Sequence, residues 1–257
     1  MAKGISVNFK SYNETIPSLL KLIKLDNELK KYNSIILKPL LSNSSLNNTN
    51  IQFLEQVLDY CVNHVNPEAQ IFIAEGSEGG DTLNVFDSSG CRKLAEKYSI
   101  GLIDLNNAEV ENIEDPNFLK FDIIKYPRIL RESFVISLPK LSEHEEYEIQ
   151  GSLANMLGAF PAKYYSGFFS SRKNKIRKWP IKYSIHDILR CKMPNLAIID
   201  ASEYGKIIIG SPLESDGFAV KLLNKDAKSV QHLKLIYESF KENEKSEKEE
   251  NVSDITK

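Results

Sequence analysis

The sequence predicts an α/β protein: a mostly parallel central sheet with helices on both faces, and some mixed or antiparallel strands in its second half. Two observations carry that expectation. Short β-branched runs alternate with helix-period segments from residue 5 to residue 106. A β-α-β-α order needs crossover connections, which place helices against a parallel sheet. Composition agrees: 42% of the 257 residues are apolar and 26% charged, as in ordinary soluble domains able to bury a large core. Residues 1–241 are expected to form one domain, followed by a disordered charged tail over 242–257, where apolar residues nearly vanish.

ISVNF (5–9) reads as a strand, and Thr15-Ile16-Pro17 opens a helix to about Tyr32. SIILKPLL (34–41) is a buried strand stopped at Pro39. Asn48–Asn50 caps a helix whose Ile51, Leu54, Val57, Leu58 and Cys61 share one face. QIFIAEGS (70–77) is the next strand. Asp81 or Thr82 starts a helix that Gly90 divides, and GLIDLN (101–106) is a fourth strand. FLKFDIIKYPRIL (118–130) has mixed alternation and fits a strand, a sheet edge or an excursion. FVISL (134–138) is a strand, Tyr147–Leu157 reads as a helix ended by Gly158, and 163–183 is irregular, basic and aromatic. A short helix from Ser184 or Ile185 to about Cys191 precedes strands NLAIIDA (195–201) and KIIIGS (206–211) and helices near 214–224 and 227–241.

A net charge of −2 gives no global pull toward nucleic acid or an anionic membrane. No apolar run approaches the roughly 20 residues that span a bilayer, and the N-terminus lacks the apolar core of a signal peptide. A cytoplasmic location is expected. Cys61, Cys91 and Cys191 are scattered, without a C-x-x-C spacing, so neither an iron–sulfur cluster nor a disulfide framework is expected. His64 and His232 read as surface or helix-face residues.

Ionisable residues gather where strands end. Glu75-Gly76-Ser77 and Gly79-Gly80-Asp81 lie between a strand and a helix, where backbone can approach an anion. The run matches neither dinucleotide nor P-loop fingerprints, so a polar turn with a helix cap is the bland alternative. Lys140, Glu143 and His144 follow FVISL, while Asp104 and Asp200 follow two other strands. In an open α/β sheet those ends converge on one rim. Glu75 and His144 are therefore candidate proton carriers, and Ser77, Lys140 and Asp200 candidate ligand contacts. The alternative is separately solvated loop residues. Glu75, Asp104, Asp200 and His144 together would suit a divalent cation, though no spacing fixes one. His186-Asp187 reads as a pair at a helix start. The segment 163–183 fits a solvated loop, a lid over an anionic ligand, or a surface that stacks single-stranded bases.

Eight segments in one order resemble the domain-of-unknown-function family 362, common in archaea and bacteria and sometimes joined to ferredoxin-type iron–sulfur modules. They are ILKPLL (36–41), IAEGSEGGDT (73–82), GCRKLAEKYSIGLIDLN (90–106), VISLPKL (135–141), SLANMLGAFPAK (152–163), IHDIL (185–189), LAIIDA (196–201) and IIGSPLESDGFAVKLL (208–223). The resemblance spans roughly 34–235 and implies site positions at Lys38, Lys140, His144, Asn155, Lys163 and Asp216. It also implies departures. Ser142 and Ala154 stand where the family carries lysine, Leu40 stands where it carries asparagine, and no histidine follows Lys163.

The reading that follows is a polar cleft at strand C-terminal ends, binding a small anionic ligand. Lys140 and Lys163 would hold the anion, Glu75 or His144 would move protons, and a divalent cation is compatible. The alternatives are a non-catalytic binding or scaffold paralogue and, more weakly, a single-strand nucleic-acid binder using 163–183.

Overall fold

The computed structural model describes residues 4–240 apart from 44, 168, 169 and 171. The tail expected over 242–257 lies outside the described residues. The chain runs β1 (Ile5–Asn8), α1 (Tyr12–Leu22), α2 (Leu25–Leu29), β2 (Ser34–Pro39), α3 (Ile51–His64), β3 (Gln70–Glu75), α4 (Thr82–Ser88), α5 (Cys91–Tyr98) and β4 (Gly101–Asp104). A two-stranded excursion, β5 (Val110–Ile113) and β6 (Ile124–Pro127), leads through α6 (Arg128–Glu132) to β7 (Phe134–Leu138). A small hairpin follows, β8 (Ser142–His144) and β9 (Glu148–Gln150), then a 3-10 segment Ala154–Ala159 and α7 (Ala162–Tyr165). After the 3-10 turn Asn174–Arg177 come α8 (Ile181–Cys191), β10 (Leu196–Ala201), β11 (Lys206–Gly210), α9 (Pro212–Leu222) and α10 (231–240).

Seven strands form one sheet in the order β1-β11-β10-β7-β2-β3-β4. The pairs β10/β7, β7/β2, β2/β3 and β3/β4 are parallel, whereas β11 runs antiparallel to both β10 and β1. The central strands are apolar almost without break, as burial on both faces requires. Alternation sorts their side chains: Ile35, Leu37, Phe134, Ile136 and Leu138 face one core with α1 and α3. Ile36, Val135 and Ala74 face a second core with α8 and α10.

The strand order places the site. From β2 the chain steps to β3 and β4 on one side, and later to β7 and β10 on the other. The sequence of strands therefore reverses between β2 and β7. Loops leaving the two strands diverge at such a point and open a crevice outside the carboxyl ends.

Several local expectations change. The helix foreseen from Thr15 to Tyr32 is two helices, starting at Tyr12 because the Ser11 side chain accepts from Glu14 N, and broken at Lys24, whose φ is +54°. The helix foreseen over Tyr147–Leu157 does not form. Glu148 sits at φ +63°, outside right-handed helical space, and pairs in a hairpin with His144. His232, expected on the surface or a helix face, lies on α10 with its side chain buried and Glu148 Oε2 at 3.9 Å from its Nδ1. Its helix closes over the second core, a non-local event that local pattern does not reveal.

Candidate functional site

Lys38 is the penultimate residue of β2, in register with Ser137 of β7 and on the same face as Ile36 and Val135. It is fully buried. Its Nζ donates to Glu75 Oε2 at 3.0 Å, Glu75 Oε1 at 3.2 Å and Asn155 Oδ1 at 3.1 Å. Burial pulls the ammonium below the usual lysine range, and the Glu75 charge opposes the pull. Glu75, the last residue of β3, also accepts from the Gly76 amide at 2.7 Å.

Asn155 is fixed at both ends of its amide. While Oδ1 takes the Lys38 ammonium, Nδ2 donates to Lys38 O and Ser137 Oγ, each at 3.0 Å. Its 3-10 segment is anchored from behind by buried Asp216, which accepts from Ser152 N at 2.7 Å, Ser152 Oγ at 2.6 Å and Leu153 N at 3.0 Å. Burial raises the Asp216 carboxyl, and those donors hold it back. Asp216 thus lies one layer behind the crevice and orients Asn155.

Lys173 completes the group from the far side. Its Nζ donates to Gly76 O at 2.7 Å and Gly158 O at 3.2 Å. Both carbonyls belong to glycines, and the close approach requires it. A Cβ on Gly76 would overlap Gly158 O, and one on Gly158 would overlap Glu75 Oε1 and reach within 2.8 Å of Lys38 Nζ. Burial lowers the Lys173 amine to about 7, with Glu75 opposing and Lys38 reinforcing the shift. Among the described residues no carboxylate comes within ion-pair distance of it.

Glu75, Gly76, Asn155, Gly158 and Lys173 line a cavity of about 730 Å³, together with Ala154, Gln150, Asn43 and, at its rim, Glu78, Glu146, Arg172 and Arg177. Lys38 is not in the lining and reaches it through Glu75 and Asn155. Arg177 grips Glu78 with two nitrogens, at 2.6 and 2.7 Å, and Glu146 with Nε at 2.9 Å. It therefore ties the β3–α4 loop to the β8–β9 hairpin. His144 is also in the wall, stacked on Tyr147 with ring centres 3.6 Å apart. Its Nδ1 accepts the Glu146 amide at 3.1 Å. Burial lowers its pKa, which keeps the ring neutral at pH 7.

The remaining candidates lie elsewhere. Ser77 is buried, and its Oγ donates to Leu41 O at 3.0 Å, joining two loops behind the cavity. Lys140 pairs with Glu203 at 2.8 Å and donates to Leu46 O at 3.1 Å. Asp200 is buried and accepts from Tyr12 OH at 2.8 Å and Ser202 N at 3.0 Å. Lys163 is exposed on α7 beside the Tyr164 ring. Asp104 accepts from the Asn106 amide and from Asn107 Nδ2. None of these five lines the cavity. His186 and Asp187 are buried in α8: Asp187 accepts the amides of Leu119, Lys120 and Phe121, and His186 joins it to Ser239. Among the described residues no three His, Cys, Asp or Glu side chains gather closely enough to hold a metal ion.

Lys173 and Arg177 were visible in the sequence only as two of many cations in 163–183. Nothing in their spacing distinguishes a lysine folded inward from its solvated neighbours. Gly76 and Gly158, each following a strand or helix signal, were the traces of a close approach.

Fold and site define an α/β protein with a charged, glycine-lined crevice at the reversal point of its sheet. A family model described as a domain of unknown function, DUF362, matches residues 35–206, and the chain belongs to that family. No curated protein matches the chain significantly. No helix among the described residues is long and apolar enough to cross a membrane.

Proposed function

We propose that the chain binds a small anionic ligand in the crevice between β2, β3 and β7, with Lys173 as its principal cation. One observation carries this reading: Lys173 is buried in the cavity wall with backbone carbonyls for partners and no counter-ion among the described residues. A buried charge without a counter-ion is costly, and an anionic ligand would offset that cost. Lys38 is already balanced by Glu75, and Arg177 by Glu78 and Glu146. Arg172 at the rim adds a second cation. Glu75 is the group placed to move a proton at the cavity floor, with His144 a second carrier in the wall. Lys140 and Lys163 have no part in this arrangement.

A second reading, a binding protein without catalysis, is favoured by Ala154. It lines the cavity where the family resemblance expects a lysine. The single-strand reading of 163–183 has less support, because Lys173 is buried and Arg177 is engaged by two carboxylates.

A thermal-shift screen tests the proposal, using inorganic phosphate, sulfate, carboxylic acids and sugar phosphates at pH 6. A ligand at about 100 times its Kd adds about 2.7 kcal/mol, or roughly 5–10 °C for a chain of this size. The expected result is a shift for the wild type that Lys173→Met loses. Equal shifts in both proteins would exonerate Lys173.

A further inference from the structure

The two carbonyls at Lys173 match a particular protonation state. An ammonium carries three N–H groups and a neutral amine two. Gly76 O and Gly158 O take two hydrogens, and among the described residues no third acceptor is present. A neutral amine would thus be fully satisfied, with its lone pair in the remaining direction. Its neighbours work against a second ammonium in the same pocket. Lys38 stands on the other side of Gly158, 2.8 Å from where a Cβ there would be. Glu75 is already engaged by Lys38 through both oxygens. The pocket is a cavity of about 730 Å³, large enough for a small molecule, with Arg172 and Arg177 at its rim.

We propose that Lys173 is a nucleophilic amine that forms an imine with a small aldehyde or ketone carrying a carboxylate or phosphate. The inference rests on the anion-site reading and adds a covalent step to it: the ammonium form of Lys173 draws the anion in, and the free base, which coexists with it near pH 7, attacks the carbonyl. The Lys173 Nζ lone pair adds to the carbonyl carbon, and the C=O π pair moves to oxygen. The nitrogen gives up one proton and the oxygen gains one, producing a carbinolamine. Loss of the hydroxyl with a further proton from nitrogen yields the imine and one water. No oxidant or reductant enters. Glu75, in the same cavity lining, is the group that relays these protons, and Arg172 at the rim holds the ligand's anionic end. The groups facing the amine are Glu75, Glu78, Lys38 and Arg177, and with burial they bring it down to about 7. The free base is therefore populated at neutral pH, as it is not for an exposed lysine. Desolvation beside another cation is a known route to such an amine.

Reductive trapping tests the step. The full chain is incubated at pH 7 with glyoxylate, pyruvate or dihydroxyacetone phosphate, each with sodium borohydride, and its peptides are mapped by mass. The expected result is an adduct concentrated on Lys173, on the order of 1,000-fold above an ordinary exposed lysine, from the difference in free-base fraction. Adducts spread over exposed lysines, with none on Lys173, would overturn the proposal. Lactate and glycerol phosphate, which lack a carbonyl, separate the two readings in a parallel thermal-shift measurement. Stabilisation by these without a Lys173 adduct from the carbonyl compounds leaves the anion site standing and removes the nucleophile. Neither stabilisation nor adduct removes both. Lys173→Met, checked for folding by circular dichroism, should lose the adduct. If that variant does not fold, the wild-type peptide map decides alone.

Discussion

At two places on the carboxyl edge of the same sheet a lysine and an acid meet at or just past strand ends, and only one opens as a cavity. At β2 and β3, Lys38 and Glu75 meet under Asn155 and Lys173 beside an open crevice. At β10, Lys140 and Asp200 also lie side by side, but backbone pairing continues through them: Asp200 N donates to Pro139 O at 2.9 Å, and Leu141 N to Asp200 O at 2.8 Å. Tyr12 of α1 then covers the Asp200 carboxylate. The difference is topological. β2 and β7 are neighbours whose chains leave in opposite directions, so nothing continues the pairing beyond Pro39 and Leu138. The crevice opens at the strand ends where the sheet's order reverses.

The contrast can be broken most severely at Lys38. Lys38→Met leaves Glu75 buried without its counter-ion, and should cost about 3–5 kcal/mol in urea denaturation. A loss below about 1 kcal/mol, the range of exposed pairs, would mean that water reaches the pair. Gly158→Ala comes next, since the added methyl meets Glu75 and Lys38. Overpacking there should cost about 1–3 kcal/mol and abolish any ligand-induced thermal shift. Lys140→Ala should be mildest, at about 0–1 kcal/mol, because its Glu203 partner is largely exposed. A large loss there would make the two places equivalent.

The pH dependence of stability sharpens the same contrast. Lys173 has a folded pKa of about 7, below its unfolded value near 10.4. The unfolded chain therefore binds more protons between those values, and stability rises with pH across that window. Below about 7 the penalty for burying the charge is fully present. Denaturation midpoints measured from about pH 6 to about pH 10 should climb in the wild type, and less steeply in Lys173→Met. Identical slopes would place the amine in water.

The sheet was legible because its strands are short β-branched runs punctuated by proline and glycine, a local signal. Lys38, Glu75 and Asn155 were legible as strand-end or resemblance positions. The wall of the cavity was not. Residues 147–157 carry apolar spacing that suits a helix, yet buried Asp216 binds the amides of Ser152 and Leu153. Those bonds come from more than sixty residues away and override local propensity. Lys173 was hidden for the same reason, since its inward turn depends on the carbonyls of Gly76 and Gly158. Lys140 and Asp200 looked equal to Lys38 and Glu75 because sequence shows strand ends but not strand order.

Isothermal titration of a ligand identified in the screen, against wild type, Lys173→Met and Lys140→Met, tests the central claim most directly. The account predicts that Lys140→Met binds as the wild type does and that Lys173→Met does not bind. Binding kept by Lys173→Met and lost by Lys140→Met would place the site at the ends of β7 and β10 and contradict it.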